Sequence, residues 1–277
     1  MLSFLVMISI RFFGVRGSYP TPYPAHLRYG GNTSCILIEA GGEAFVIDAG
    51  TGISKAGAFL ERRKCRRATI FLSHLHVDHI AGLPSFLPFY RKGVYIRMLF
   101  SKRCAREDIT RIFSPPYFPI SMDKLPSKIE FTPVDDQREV RSNGVPLSFI
   151  PLNHPNGALG IKIRYEGREV AILSDNEPSA GEMERLIRWV SGANLLIAEA
   201  QYTPAEYRKK RGFGHSPFTY PIEIAFYAGV KRLILTHHDF LHSDKVLDKI
   251  SQRIVRLATQ KGLACRLARE GMKVTLR

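Results

Sequence analysis

The chain has 277 residues, 45% of them hydrophobic, which is enough to bury a full core in one large domain or two small ones. Its formal net charge of +15 favours anionic partners, because such a surface attracts phosphate-bearing ligands over long range. Since no linker, repeat or low-complexity tract marks a boundary in the sequence, we predict a single domain over residues 1–277.

The start of the chain and its cysteines bear on where the protein works. Residues 1–10 are apolar but fall short of the roughly 20 residues that span a bilayer, and they lack the basic leader of a signal peptide. We therefore expect a first strand here and no membrane partner. The four cysteines are widely spaced and form no CxxC pair, which favours neither a disulfide framework nor a thiolate zinc site. A reducing cytoplasm is the expected location.

Two polar stretches precede the main motif. Residues 14–18 form a loop that could bring Arg16 to a bound anion, although a plain turn is the commoner use of such a sequence. Residues 62–67 hold a basic run, for which we predict a solvated helix end.

The most informative motif is HLHVDH at residues 74–79, directly after a short, apolar, β-branched stretch at 69–72. That stretch predicts a buried strand, and the apolar pattern after the motif predicts a helix that begins near His79. Three imidazoles and a carboxylate within six residues carry an electrostatic and desolvation cost unless they bind a cation. The motif therefore predicts a metal site on a strand-to-helix loop, where α/β proteins commonly build their sites.

Three later apolar stretches also end in polar groups. They are 145–152 before Asn153 and His154, 170–173 before Asp175, and 231–235 before His237 and His238. Each group alone is a common turn or cap residue. A two-metal site, however, needs more ligands than one loop supplies, and neighbouring strands would gather these groups on one sheet edge. Together with HLHVDH they predict a shared metal centre.

With these motifs the chain resembles the metallo-β-lactamase superfamily, whose members combine an HxHxDH motif with a later His, Asp and His. Residues 28–35 and 45–52 resemble its early strands and Asp-Gly-type turn. Residues 195–200, 214–216 and 235–237 resemble late motifs of its phosphodiesterase branch, which includes tRNase Z, the phosphonate-pathway phosphodiesterase and bacterial cyclic-nucleotide phosphodiesterases. The resemblance implies a four-layer αββα sandwich of two mixed sheets with helices on the outer faces. An amphipathic stretch at 244–262 and apolar stretches at 265–269 and 273–276 would complete its second half.

The resemblance also implies a ligand set. It places His74, His76 and His154 on one metal and Asp78, His79 and His237 on the other, with Asp175 bridging the two. Imidazole and carboxylate suit zinc, manganese or iron, so we expect two divalent ions with zinc as the first choice. His237 occupies the family position, although the adjacent His238 leaves the register open. Asp48 is expected to orient a ligand imidazole.

The implied activity is hydrolysis by a hydroxide that bridges the two metals. Two cations about 3.5–4 Å apart would lower the pKa of a shared water towards neutrality. Beside Asp78, the catalytic set would include His215 as proton donor or oxygen stabiliser and Glu199 as the carboxylate that orients its ring and keeps it cationic. A structural role for His215 stays open, since Ala198 and Pro217 depart from the tRNase Z pattern.

The loops favour a small anionic phosphodiester, such as a cyclic nucleotide, as the substrate. The long Gly/Pro-rich arm of tRNase Z is absent from the sequence, and residues 113–120 instead form a compact aromatic and proline loop, typical of a lid, a side wall or a dimer contact. The basic run at 208–211, just before His215, could rim a phosphate or be a solvated helix end.

Three alternatives remain open from the sequence. A tRNA 3′-processing endoribonuclease is favoured by the charge and by the Gly-His-Ser motif, which would make RNA the partner. A lactonase or thioesterase of the same superfamily would use the same seven ligands. A metal-binding scaffold without turnover is disfavoured by the complete ligand set and His215. Homodimerisation is expected by analogy with relatives, and the physiological substrate is not specified by any motif.

Overall fold

The computed structural model describes residues 7–136 and 139–277. The strands in these ranges are β1 (Ile8–Gly14), β2 (Cys35–Ala40), β3 (Glu43–Ile47), β4 (Arg67–Leu72), β5 (Tyr95–Ser101), β6 (Lys128–Val134), β7 (Val140–Ser142), β8 (Val145–Leu152), β9 (Ala158–Tyr165), β10 (Arg168–Leu173), β11 (Leu195–Glu199), β12 (Arg232–Thr236), β13 (Ala264–Leu267) and β14 (Lys273–Leu276). The α-helices are α1 (Ile53–Arg62), α2 (Val77–Ile80), α3 (Arg106–Thr110), α4 (Glu182–Val190), α5 (Pro204–Tyr207), α6 (Thr219–Tyr227) and α7 (Asp244–Gln260).

The strands form two mixed, seven-stranded sheets. The first has the order β14-β1-β2-β3-β4-β5-β6 and the second the order β13-β12-β11-β10-β9-β8-β7. In the first sheet β3 to β6 are parallel, and in the second β10 to β13 are parallel, while the remaining neighbours pair antiparallel. The predicted first strand is present as β1, and the part of that prediction that concerns residues 1–6 lies outside the described residues.

Four layers follow from which side chains are buried. Alternate residues of β1, such as Ile8, Ile10 and Phe12, point into a cluster that also contains Phe149 and Ile197 from the second sheet, so the two sheets pack face to face. One outer cluster joins the first sheet to α1, and the other joins the second sheet to α4, α6 and α7. The predicted four-layer αββα sandwich is therefore confirmed.

The direction of the strands brings the polar loops together. Strand β8 is antiparallel to β9, and β9 is antiparallel to β10, so β8 runs in the same direction as β10, β11 and β12 and all four end at one edge. The stretches predicted as strands at 69–72, 145–152 and 170–173 fall within β4, β8 and β10, and the stretch at 231–235 matches β12 to within one residue at each end. The polar residues that follow them therefore share one end of the sandwich.

The helix predicted near His79 is a single turn. It ends at Ile80 and is followed by two 3₁₀ turns, Leu83–Ser85 and Leu87–Tyr90, each with a proline in its first turn. Proline lacks the amide hydrogen that a continuing α-helix would need, which explains why the chain turns instead of extending α2.

The peripheral predictions have mixed outcomes. Helix α1 ends at Arg62 with exposed basic residues behind it, which confirms a solvated helix end at 62–67. In the loop at 113–120, Phe113 is buried against Phe89 and Phe118, whereas Tyr117 is 70% exposed. All four cysteines are free thiols. In the described ranges we find no helix with the length and apolar character needed to cross a membrane.

Candidate metal centre

The seven predicted ligands converge at the edge where β4, β8, β10 and β12 end. They are His74, His76, Asp78, His79, His154, Asp175 and His237. The first four lie on the loop after β4 and on α2, in the first sheet, and the other three follow strands of the second sheet. The site is therefore assembled from both halves of the sandwich, in two groups whose ligand atoms each lie within 4.8 Å of one another.

The first group consists of His74, His76 and His154. Nε2 of His154 lies 3.1 Å from Nδ1 of His76, and the His74 ring centroid is 4.6 Å from those of both other rings. Nitrogen ligands held at 2.0–2.1 Å around a tetrahedral ion lie roughly 3.3 Å apart, close to the nitrogen separation found here. The spacing of the rings thus suits one shared cation.

The second group consists of Asp78, His79, Asp175 and His237. The Nε2 atoms of His79 and His237 are 3.2 Å apart, and Asp78 Oδ2 is 3.3 Å from each. The oxygens of Asp175 lie 3.2 Å from the same two nitrogens. Asp175 Oδ2 is also 3.6 Å from Nε2 of His74 in the first group, so this carboxylate stands between the two groups.

Buried ligand atoms that lack a hydrogen-bond partner show that this set of side chains fits divalent metal ions. Nε2 of His74 and Oδ1 of Asp175 are buried without a hydrogen-bond partner among the described residues. Leaving such atoms unsatisfied costs about 1–3 kcal/mol each, more for charged groups. Imidazole nitrogens and carboxylate oxygens that face each other across a few ångströms are the donor types that zinc and related ions bind.

Outer contacts orient two of the imidazoles. Asp48 Oδ2 lies 2.8 Å from Nδ1 of His79, and the carbonyl oxygen of Gly214 lies 2.8 Å from Nδ1 of His154. In each case Nδ1–H donates, which leaves Nε2 with a free lone pair towards its group. Asp48 thus contacts one of the predicted ligand imidazoles, as its expected orienting role requires. A Cβ at Gly214 would lie 2.2 Å from His154 Nδ1, so this close approach requires glycine.

The backbone settles which histidine of the doublet faces the site. His237 has a φ of 60°, in the left-handed region that non-glycine residues seldom adopt, and its ring joins the second group. His238 turns the other way, and its Nε2 lies 2.9 Å from the carbonyl oxygen of Ala268. Asp48 has a similar φ of 59°. His237 and Asp48 thus both have strained backbones at the same site. Such strain persists where the surrounding fold maintains it, and it is concentrated at functional sites.

The charges at the site favour a cation. Burial lowers the pKa of His79, but Asp175, Asp48 and Asp78 raise it more, and the pKa ends well above its usual value. Burial raises the pKa of Asp175, but His237, His79 and His215 lower it well below its usual value. The carboxylates of Asp78 and Asp175 are thus ionised at neutral pH and favour the protonated form of His79, whose proton a bound metal ion would displace.

Glu199 does not form a hydrogen bond with His215 in this structure, although both belong to one cluster with His237 whose ligand atoms lie within 4.8 Å of one another. Glu199 instead accepts hydrogen bonds from the amide and hydroxyl of Ser216, at 2.6 and 2.7 Å, and from the amide of Gln201 at 3.0 Å. Burial is the main cause that lowers the pKa of His215 to about 3, so the ring is neutral rather than cationic. Burial and the charge of Asp175 raise the pKa of Glu199 to about 8. Glu199 therefore holds the turn that carries His215 through its hydrogen bonds with Ser216.

His215 itself does lie at the site. Its Nδ1 is 3.7 Å from Oδ2 of Asp175, and its ring centroid is 5.1 Å from that of His237 and 5.5 Å from that of His154. The ring packs edge-on against Tyr202. It is therefore placed beside both ligand groups, as the prediction of a catalytic role requires.

Arg16 does not take the less favoured of the two roles considered for its loop, contact with a bound anion. Its side chain is completely buried and donates to the carbonyl oxygens of Gly30 and His242, each at 2.7 Å, with Asp244 at 3.9 Å. Burial lowers its pKa to about 10, which leaves it charged at neutral pH. Arg16 joins three surface loops and takes no part in the site.

The same loop reaches the site through a residue that sequence reasoning missed. The amide of Ser18 donates to Oδ2 of Asp78 at 2.8 Å, and Gly17 packs against His237. The contact of Ser18 with Asp78 depends on the pairing of β1 with β2 and on the bridge between Arg16 and His238, which position the loop. No pattern within the loop itself indicates these long-range contacts.

The basic run at 208–211 follows α5, next to the site. Lys210 donates to Asp239 at 2.8 Å, whereas Arg208, Lys209 and Arg211 are exposed. Glu177 accepts from the amides of Gly212 and Gly214, which anchors the segment that leads to His215. Three exposed cations therefore lie on the loop that delivers His215.

Comparison with known proteins identifies related sequences. The family model described as "Metallo-beta-lactamase superfamily" matches residues 28–219. A protein named Ribonuclease Z from Methanothermobacter thermautotrophicus is 25% identical over an alignment that covers 83% of this chain and 86% of that protein.

Solved structures share the fold over nearly the whole chain. The metallo-beta-lactamase fold protein YhfI from Bacillus subtilis superposes with a TM-score of 0.74, 18% identity and coverage of 98% of this chain and 99% of that one. A diphosphatase from the PhnP family has a TM-score of 0.70, 17% identity and 98% coverage of both chains. At these identities the likeness concerns the fold.

Proposed function

Because the chain belongs to the metallo-beta-lactamase superfamily, we propose that it is a metal-dependent phosphodiesterase that acts on a small anionic phosphodiester such as a cyclic nucleotide. The observation that carries the proposal is the meeting of two ligand groups at Asp175. A site of this kind suits a substrate that needs an activated water and charge stabilisation on its phosphoryl oxygens.

His74, His76 and His154 would hold one divalent ion, and Asp78, His79 and His237 the other, with Asp175 shared. When bound, the ions supply Lewis-acid activation of water and neutralise charge on the phosphoryl group. Zinc is our first expectation and manganese or iron the alternatives, because all three accept imidazole and carboxylate. Asp48 and the Gly214 carbonyl fix the rings that surround these positions.

The role of His215 in this proposal is to stabilise an oxygen. Since its imidazole is neutral, it donates a hydrogen bond to a phosphoryl or leaving-group oxygen without a formal charge. Packing against Tyr202 and the two hydrogen bonds from Ser216 to Glu199 keep the ring beside the ligands. Its position therefore needs no rearrangement when substrate binds.

We expect His215→Ala to retain its metal and to lose rate. His215 is not one of the seven proposed ligands, so metal content should match that of the parent protein, while kcat should fall about 10²–10⁴-fold. Metal analysis and turnover of bis-p-nitrophenyl phosphate measure the two effects, with His26→Ala, a histidine outside the site, as the matched control. An unchanged rate would remove His215 from the mechanism.

A panel of substrates tests the proposal as a whole. The protein should cleave bis-p-nitrophenyl phosphate and at least one cyclic nucleotide, and it should process precursor tRNA and lactones much more slowly. Lactone opening without phosphodiester cleavage under any divalent metal would overturn the proposed activity. A small substrate is supported by the sequence, which lacks the long Gly/Pro-rich arm of tRNase Z and has instead the compact loop at 113–120, anchored by Phe113 in the core.

Processing of tRNA 3′ ends is the second candidate. Its support is the similarity to Ribonuclease Z together with the exposed cations Arg208, Lys209 and Arg211. If RNA is the substrate, changing all three to glutamine should weaken tRNA binding. The slope of the logarithm of the binding constant against the logarithm of the salt concentration should become shallower by roughly 0.7–0.9 for each phosphate contact that is lost. If the substrate is a small phosphodiester, kcat/KM for it should change little. Filter binding over a salt series, with Arg62→Gln as the control, separates the two outcomes.

Two further expectations complete the proposal. The free thiols support a location in a reducing cytoplasm. A homodimer stays a prediction that size-exclusion chromatography with light scattering can check.

A further inference from the structure

His237 differs from the other well-oriented ligand imidazoles. His79 and His154 each have an acceptor 2.8 Å from Nδ1, but Nδ1 of His237 is buried without a partner in the described parts of the chain. If no acceptor holds the proton on Nδ1, a ligand imidazole can carry its proton on Nε2, the nitrogen that must bind the metal. The His237 ring therefore lacks the contact that would keep Nε2 free for the metal.

An unused acceptor lies next to this nitrogen. Oε1 of Gln201 is buried and also unpartnered, and the side chain of Gln201 is almost fully buried. A Cβ built on Gly17 would be 2.3 Å from Nδ1 of His237 and 2.7 Å from Oε1 of Gln201, so the two atoms are at most about 5 Å apart. Two unsatisfied groups, one able to donate and one able to accept, thus face the same small space.

The orientation of the amide is set by its other end. Nε2 of Gln201 donates to Oγ of Ser18 at 3.2 Å and lies 3.4 Å from the Tyr202 hydroxyl. These contacts assign the nitrogen to that side and turn Oε1 towards His237. The opposite orientation would point an N–H group at Nδ1 and place the imidazole proton on Nε2, where it would block metal binding.

On the basis of the metal centre in the proposed function, we propose that Gln201 is a positioning residue that accepts a hydrogen bond from Nδ1–H of His237. The two atoms are not within hydrogen-bond distance in this structure, so the contact requires a small closure, which we expect in the metal-loaded protein. Burial of both atoms strengthens the contact, because neither can exchange it for one with bulk water. Gln201 thereby does for His237 what Asp48 and the Gly214 carbonyl do for His79 and His154.

Gly17 is part of the same arrangement. The space between the ring and the amide has no room for a side chain at this position, since a Cβ would meet both groups below contact distance. Gly17→Ala should therefore displace the side chain of His237 or Gln201 and have the same effect on metal binding as loss of the Gln201 side-chain amide. This expectation arises from sterics alone and is independent of the chemistry of residue 201.

The test compares Gln201→Leu, which removes the acceptor, with Gln201→Glu, which keeps one. Zinc affinity measured by chelator competition should fall about 10–100-fold in the leucine variant and stay near the parent value in the glutamate variant. Gln252→Leu, the same change at an exposed position on α7, is the matched control and should have no effect. Circular dichroism and thermal unfolding establish that each variant is folded.

A spectroscopic readout follows the proton itself. In zinc-loaded parent protein, long-range ¹H–¹⁵N NMR spectra should show His237 protonated on Nδ1, with that proton protected from exchange, and the leucine variant should lose the protection. A folded Gln201→Leu protein with unchanged zinc affinity and an unchanged His237 signal would overturn the inference and leave the phosphodiesterase proposal standing. Failure of the parent protein to bind metal would instead overturn the proposed function.

Discussion

Replacing His76 with alanine is expected to remove metal and activity together. His76 supplies one of three imidazoles in the first ligand group, and its Nδ1 lies 3.1 Å from Nε2 of His154. Two remaining histidines hold a divalent ion much more weakly than three, because each lost ligand exposes the ion to exchange with water. We expect at least one metal ion per chain to be lost and kcat to fall by roughly three orders of magnitude or more.

Metal analysis after gel filtration and phosphodiester turnover measure this pair of effects. His26→Ala provides the control, since His26 lies outside both ligand groups. A His76→Ala protein that keeps a full metal complement, or that loses metal yet retains its rate, would contradict the assignment of His76 as a ligand to a catalytic metal.

The largest effect on stability is expected from Arg16→Met. Methionine keeps much of the buried volume but removes every donor, so the carbonyl oxygens of Gly30 and His242 lose the guanidinium and the carboxylate of Asp244 loses its nearby buried cation. Removing one partner from a buried, charged hydrogen-bond network costs about 3–5 kcal/mol. We therefore expect the free energy of unfolding to fall by that amount, measured by urea denaturation of metal-free protein.

Arg63→Met is the matched comparison. Arg63 is mostly exposed and pairs with Glu39 at 3.4 Å, so its loss should change stability by at most about 1 kcal/mol. Equal denaturation midpoints for the two variants would show that the contacts of Arg16 contribute no more than a surface pair.

The residues of the candidate metal centre could be predicted because each follows an apolar strand. Buried strands are visible in the sequence as apolar runs, and in this fold the loops after them meet at one edge. His154, Asp175 and His237 are therefore found by their position behind β8, β10 and β12. The doublet at His237 could not be resolved from sequence, because the choice depends on a left-handed backbone at that residue.

The surrounding contacts could not be predicted, because they depend on how distant loops pack. The sequence allowed Arg16 either to face a bound anion or to sit in a plain turn, and neither possibility indicates that the loop directs its side chain into the protein. Glu199 lies close to His215 in the fold, but the nearer donors of Ser216 and Gln201 take its oxygens. Sequence patterns report burial along one element, and they carry little information on which side chains meet across elements.

The central claim is that two divalent ions bound by these seven side chains perform phosphodiester hydrolysis. Its most direct test is a titration of metal-free protein with zinc, in which bound metal and turnover of bis-p-nitrophenyl phosphate are measured on the same samples. We predict that binding saturates at two ions per chain and that turnover rises with occupancy to a plateau at that ratio. Saturation without any phosphodiester turnover, or full turnover by the metal-free protein, would contradict the claim.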